Sequence, residues 1–217
     1  MKIRTIAPGL AILLALAAHA QSPANDLYGR NLLKDPGAEA KEAAEAGAWF
    51  DAETYKGKGG RCTREAYGQT AGVFPKGWGA KNAHGEKLFR FSTDDRIEIR
   101  TLAQRIDMTA LADSIDRKKV IGRFSAQMAS IVNPGLRGQV VVEYLNVDGK
   151  PIQKVNTPFR ECHVQGDQWQ LVKASQSAIV PVGARYAVVH LQVNTTPDAT
   201  AGGSFVMDDV SFELLAR

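Results

Sequence analysis

From residue 89 onward, apolar and polar positions alternate with a period of two, the pattern of strands that show one face to a core and the other to solvent. Phe89 and Phe91 share one face of a first short strand, and Ile97 and Ile99 one face of a second. Val120, Phe124, Ala126, Met128 and Val132 alternate with Arg123, Ser125 and Gln127 in a longer strand. Val140, Val142 and Tyr144 alternate with Val141, Glu143 and Leu145. Asp148-Gly149 then supplies the positive-φ residues of a tight hairpin turn, and the chain returns from Pro151. Trp169, Leu171 and Lys173 lead to Ile179-Val180-Pro181, a Gly183-Ala184 turn opens the strand 187–193, and 205–215 is the last strand. Strands follow one another without alternating helices, so the pattern predicts an all-β antiparallel sandwich with one or two short helices.

Two stretches depart from this period. Residues 38–48, rich in Ala, Glu and Lys, predict a helix stopped near Gly47, and 109–117 predicts one or two helical turns. Residues 55–86 are rich in Gly, Lys and aromatics without periodicity and predict a long loop region.

The first twenty residues form a separate unit. Lys2 and Arg4 precede the apolar run 10–18, and Ala18-His19-Ala20 precedes Gln21-Ser22-Pro23: charge, greasy core and small residues in the order of a secretory signal peptide. The run is too short to span a bilayer, which takes about twenty residues. The expectation is cleavage after Ala20, a secreted or periplasmic protein with no membrane span, and one domain over 21–217. The formal net charge of +4 includes Lys2 and Arg4 and no leader acid, so +2 remains after cleavage. That balance, with no Lys/Arg block interleaved with aromatics, gives no case for nucleic acid. Cys62 and Cys162, the two cysteines of an exported chain, are read as one disulfide. It closes a loop of about 100 residues and contributes about 4–5 kcal/mol in the chain-entropy model.

No catalytic constellation emerges. Cys162 and His163 are adjacent, so in a strand they point to opposite faces and cannot form a dyad. His84 and His190 lack the spacing of zinc ligands. Gly202-Gly203-Ser204 is followed by a strand rather than the helix of a nucleophile elbow. Flat aromatic rings suit the C–H faces of sugars. Trp78, in the glycine-flanked Phe74-Pro75-Lys76-Gly77-Trp78-Gly79, is the leading ligand-binding candidate, with Tyr67 and Tyr55 in the same loop region.

Asn31-Leu-Leu-Lys-Asp-Pro-Gly-Ala-Glu39 followed by Trp49 resembles the opening of galactose-binding-like jelly rolls, including carbohydrate-binding modules of the family 4/9 type. Gln104-Arg-Ile106-Asp107 resembles an internal strand of that fold, Trp169 to Val188 the strand, turn and strand before the close, and Phe205 to Phe212 the final strand. The resemblance implies a jelly roll with Trp49 and Trp169 in its core, and architecture more firmly than ligand. It also implies a structural Ca2+ between the first segment and the last strand, with Glu39 and Asp208 or Asp209 as oxygen ligands. By alternation Asp208 is in phase with Val206, Val210 and Phe212 and faces the core unless the strand bulges. The leading function is a non-catalytic module that binds a carbohydrate or glycoconjugate. The alternatives are a structural or adhesive module with a protein partner, and a jelly-roll lyase or hydrolase. The lyase reading requires Arg123, Ser125 and Gln127 to adjoin Tyr186, His190 and Gln192.

Overall fold

The computed structural model describes residues 25–40, 49–51, 62–69, 74–93, 100–131, 136–160, 170–195 and 203–217. The leader, most of the expected helix over 38–48, Tyr55, Ile97, Ile99, Val132, Cys162, His163 and Trp169 lie outside the described residues, and so does the Cys62–Cys162 pairing. Cys62 itself opens β2 and packs against the core.

Among the described residues ten strands make two antiparallel five-stranded sheets, the sandwich the alternation predicts and the jelly roll the resemblance implies. The first sheet runs β2 (Cys62–Ala66), β3 (Lys87–Thr93), β10 (Gly203–Ala216), β5 (Val120–Ile131), β8 (Val172–Ile179). The second runs β1 (Phe50–Asp51), β4 (Arg100–Asp107), β9 (Tyr186–Thr195), β6 (Leu136–Leu145), β7 (Pro151–Asn156). Inward residues of both sheets, among them Phe89, Phe91, Phe124, Val142, Tyr144, Val189, Leu191, Phe205 and Phe212, fuse into one buried core. Gly138 is needed there because a Cβ would lie 2.3 Å from the Phe205 ring. Trp49 belongs to this core, edge-on to Phe89 at 5.4 Å with its indole N–H donated to the Asp35 carbonyl. Short helices occur at Trp78–Lys81 and Ala112–Asp116, the second where the sequence predicts one. Among the described residues no helix is long and apolar enough to cross a membrane.

Three details differ from the sequence reading. The β6–β7 hairpin forms, but its loop is 146–150, longer than a two-residue turn, because the Asn146 side chain accepts N–H bonds from Asp148 and Lys150 and widens it. The stretch 55–86 is not one loop, since it contains β2 and the Trp78–Lys81 helix. Its described residues from Tyr67 onward, 67–69 and 74–86, bring aromatic side chains over the outer face of the first sheet. There Tyr67, Phe74 and Trp78 meet Leu88, Ala129, Ile131, Leu171 and Val206 in a second apolar cluster. Asp208 is the third: β10 bulges between Asp208 and Ser211, with Asp209 at a left-handed φ of 47°. Before the bulge Val206 and Asp208 face outward, beneath this cover; after it Val210 and Phe212 face the inter-sheet core.

The opening segment is tied to both sheets. Asn31 donates its side-chain N–H to the Val210 carbonyl and accepts from the Phe212 N–H, and Val210 N–H reaches the Pro36 carbonyl. Beyond Met207, where pairing with β3 ends, this segment therefore takes up the free edge of β10.

Candidate functional site

Two polar places are built by this fold. The first sits under the cover, where the β10 bulge meets residues 67–87. Asp208 is fully buried; its Oδ2 accepts the Tyr67 hydroxyl at 2.5 Å and its Oδ1 the Asp209 N–H at 2.7 Å. Asp209 pairs with His84 Nδ1 at 2.5 Å, and His84 stacks parallel on Trp78 with ring centroids 5.3 Å apart. Glu39 Oε1 accepts the Glu86 and Lys87 N–H groups, and Gly85, at φ 81°, leaves the space that this carboxylate fills. Donor atoms of His84, Asp208 and Asp209 lie within 4.8 Å of one another. Burial first, then the charges of Asp209 and Glu39, push the Asp208 carboxyl up to about 8 against the pull of its two hydrogen bonds. Burial and the neighbouring carboxylates hold the Tyr67 phenol far above its ordinary range.

These contacts give two of the expected ligand-binding aromatics another use. Tyr67 is 5% exposed and its hydroxyl is spent on Asp208. Trp78 is half-buried and engaged by His84, Phe74 (4.5 Å) and Tyr67 (5.7 Å). Of the two glycines that flank Trp78, Gly79 serves close packing, because a Cβ there would lie 2.3 Å from the Tyr67 ring, and Gly77 serves the left-handed φ of 74° that opens the short helix.

The second place is the outer face of the second sheet, where β9 and β6 present residues between the buried ones. Gln192 lies opposite Gln139, His190 opposite Val141, Val188 opposite Glu143 and Asn194 opposite Arg137. A chain of amides crosses three strands: Asn156 donates to Gln139 at 3.2 Å, and Gln139 donates to Gln192 at 2.6 Å. Each amide offers both a donor and an acceptor, and Gln192 Nε2 ends the relay as a further donor. Beside it, among the described residues, the buried atoms His190 Nε2, Asn194 Oδ1 and Arg137 Nε have no hydrogen-bond partner, with His190 Nε2 standing 3.8 Å from Glu143 Oε2. Burial, ahead of the opposing effect of Glu143, holds the His190 imidazole below its usual range, so it is neutral at pH 7. Guanidinium groups lie over rings at two points of the face, Arg137 on Phe159 (4.4 Å) and Arg105 on Tyr186 (3.8 Å).

The lyase constellation is not assembled. Arg123, Ser125 and Gln127 stand on β5 in the first sheet, whereas Tyr186, His190 and Gln192 stand on β9 in the second, on the opposite outer face of the sandwich. The alternation of β9 and β6 shows in the sequence; that Gln139 and Gln192 meet depends on strand order, which pattern alone does not reveal.

No family model matches the chain, and no curated protein matches it in sequence. Solved structures do. The enzymatically active domain of bacteriophage CBA120 tailspike protein 4 aligns over 85% of this chain and 21% of its own, at 12% identity and a TM-score of 0.54. The CBM22-1–CBM22-2 tandem domain of Xyn10C from Paenibacillus barcinonensis aligns over 88% of this chain and 46% of its own, at 13% identity and a TM-score of 0.50. This chain thus spans about a fifth of the first and just under half of the second. At such identities the likeness is one of fold: a β-sandwich shared with carbohydrate-binding modules.

Proposed function

We propose that the chain is an exported, non-catalytic carbohydrate-binding module whose ligand lies across the outer face of the second sheet. The carrying observation is the amide relay from Asn156 through Gln139 to Gln192, bordered by unpartnered polar atoms. Sugar hydroxyls donate and accept at once, as amides do, and a shallow row of such groups on a rigid sheet orients a chain without enclosing it. Half-buried His190 stands beside the relay, opposite Val141, and as a neutral ring at pH 7 presents no charge to the ligand. The leader, with its expected cleavage after Ala20, supports a secreted or periplasmic location.

We further propose that a divalent hard cation, Ca2+, belongs under the cover. Glu39, Asp208 and Asp209 would hold it, and it would neutralise the buried Asp208 carboxylate beside two exposed ones. The residues fit: Asp208 and Asp209 supply carboxylate oxygens that lie close together, Glu39 borders Gly37 beside Asp208 Oδ1, and burial raises the Asp208 carboxyl to about 8, so its ionised form calls for a counter-ion. Here the cation has a structural role, fixing the bulge against the opening segment.

Affinity electrophoresis through gels that contain xylan, galactan, β-glucan or pectin tests the glycan reading. Retardation in at least one polysaccharide gel, relative to serum albumin, is expected; migration equal to albumin in all four, and no pull-down by cell-wall preparations, counts against it.

A further inference from the structure

β1 covers β4 only at Leu102 and Ala103, so the edge of β4 from Gln104 onward is left to the opening segment. Gln104, buried to 3% exposure, fixes that segment in place: its Oε1 accepts the Lys34 N–H at 2.8 Å and its Nε2 donates to the Lys34 carbonyl at 3.0 Å. Between the two runs opens a cleft of about 350 Å³, within the size range of small-ligand sites. Its wall is apolar at Leu27, Leu32 and Ile106 and cationic at Arg30, Lys34 and Arg105. One carboxylate, Asp107, lines it too, its Oδ1 accepting the Thr109 N–H and hydroxyl at 2.8 and 2.7 Å, so that the cations outnumber it three to one. Among the described residues none of the three cations is in an ion pair. Arg105 is steadied on the Tyr186 ring, and Tyr186 shares the outer face of β9 with His190 and Gln192, so the cleft is continuous with the sheet face.

We propose that this cleft takes the carboxylate of an acidic sugar unit, so that the protein selects uronate-bearing glycans over neutral ones. The proposal rests on the glycan reading above and names the ligand class. Three cations outside any ion pair, against a single carboxylate, ask for an anion, and the half-buried Leu27 and Leu32 offer an apolar surface to the C–H face of the ring that carries it. A membrane surface suits the cleft less well, because its apolar residues line a recess instead of projecting beyond the basic ones.

The test is isothermal titration with hexasaccharides of galacturonate and glucuronate beside their galactose and glucose counterparts, on the wild-type protein and on the surface double variant Arg30→Glu/Lys34→Glu. An acidic hexamer is expected to bind about tenfold more tightly than its neutral counterpart at low salt. In the variant that preference vanishes, while neutral binding and Tm are kept. Equal affinity for acidic and neutral hexamers, or a preference unchanged in the variant, overturns the proposal and leaves the glycan reading standing. Binding of no hexasaccharide at all overturns both. Binding to phosphatidylglycerol vesicles without binding to oligouronates assigns the cleft to lipid and overturns the proposal alone.

Discussion

Calcium is expected to raise the melting temperature of the wild-type protein by about 5–10 °C at pH 8 and by about 1–2 °C at pH 5, and to leave Asp208→Asn unmoved at either pH. The reason is the fully buried carboxyl on the outward side of the β10 bulge. In the unfolded chain it ionises near 3.8; in the folded chain burial and the charges of Asp209 and Glu39 move it to about 8. Between those values the folded state carries a proton that the unfolded state has lost, so with a chelator present stability falls as pH rises toward 8 and levels off above it. A cation bound to the ionised carboxylate removes that penalty at pH 8. At pH 5 the proton already occupies the group and competes. Asp208→Asn abolishes both the slope and the calcium response. Scanning calorimetry in EDTA and in calcium reads all of this, and an equal calcium response in the Asn variant would show that the ion binds elsewhere.

Gly79→Ala destabilises the protein by about 3 kcal/mol, whereas Gly77→Ala, two residues earlier, costs about 1 kcal/mol. A Cβ on Gly79 would stand 2.3 Å from two Tyr67 ring carbons and 2.6 Å from the Gly85 carbonyl oxygen. Neither neighbour can retreat. Tyr67 is held by its bond to Asp208 and its edge-on contact with Phe74, and Gly85 sits at φ 81° beneath Glu39. Gly77 has nothing within 4 Å, so only its left-handed φ of 74° opposes a side chain. Urea unfolding separates the two costs; equal values would mean that Tyr67 and the segment 74–86 do not pack as a cover.

The sandwich was legible because its strands bury one face each. Phe89 with Phe91, Phe124 with Ala126 and Val140 with Val142 announce their elements at a period of two, and all six lie in the core. Gln104 and Asn31 were legible only through the resemblance: nothing in their local pattern says that one braces Lys34 and the other the last strand. The 67–86 cover was harder to read. Its aromatics lack periodicity because they pack on a sheet face from a folded-over segment, so Tyr67 and Trp78 looked like exposed platforms when they are packing groups. Asp208 illustrates a second limit, since alternation gives its side only until a bulge resets the phase. The polar face of β9 and β6 needed strand order. Gln139 and Gln192 are 53 residues apart in sequence and meet only because β6 lies beside β9.

The most direct test of the account is isothermal titration of the polysaccharide that most strongly retards the wild-type protein, carried out on Gln192→Ala, His190→Ala and Trp78→Ala. The account predicts that Gln192→Ala and His190→Ala each weaken binding about fivefold to tenfold with Tm nearly unchanged. Trp78→Ala lowers Tm by several degrees and keeps the affinity at temperatures where it is folded. Lost binding in Trp78→Ala together with full affinity in both sheet-face variants would contradict it and return the ligand to the aromatic segment.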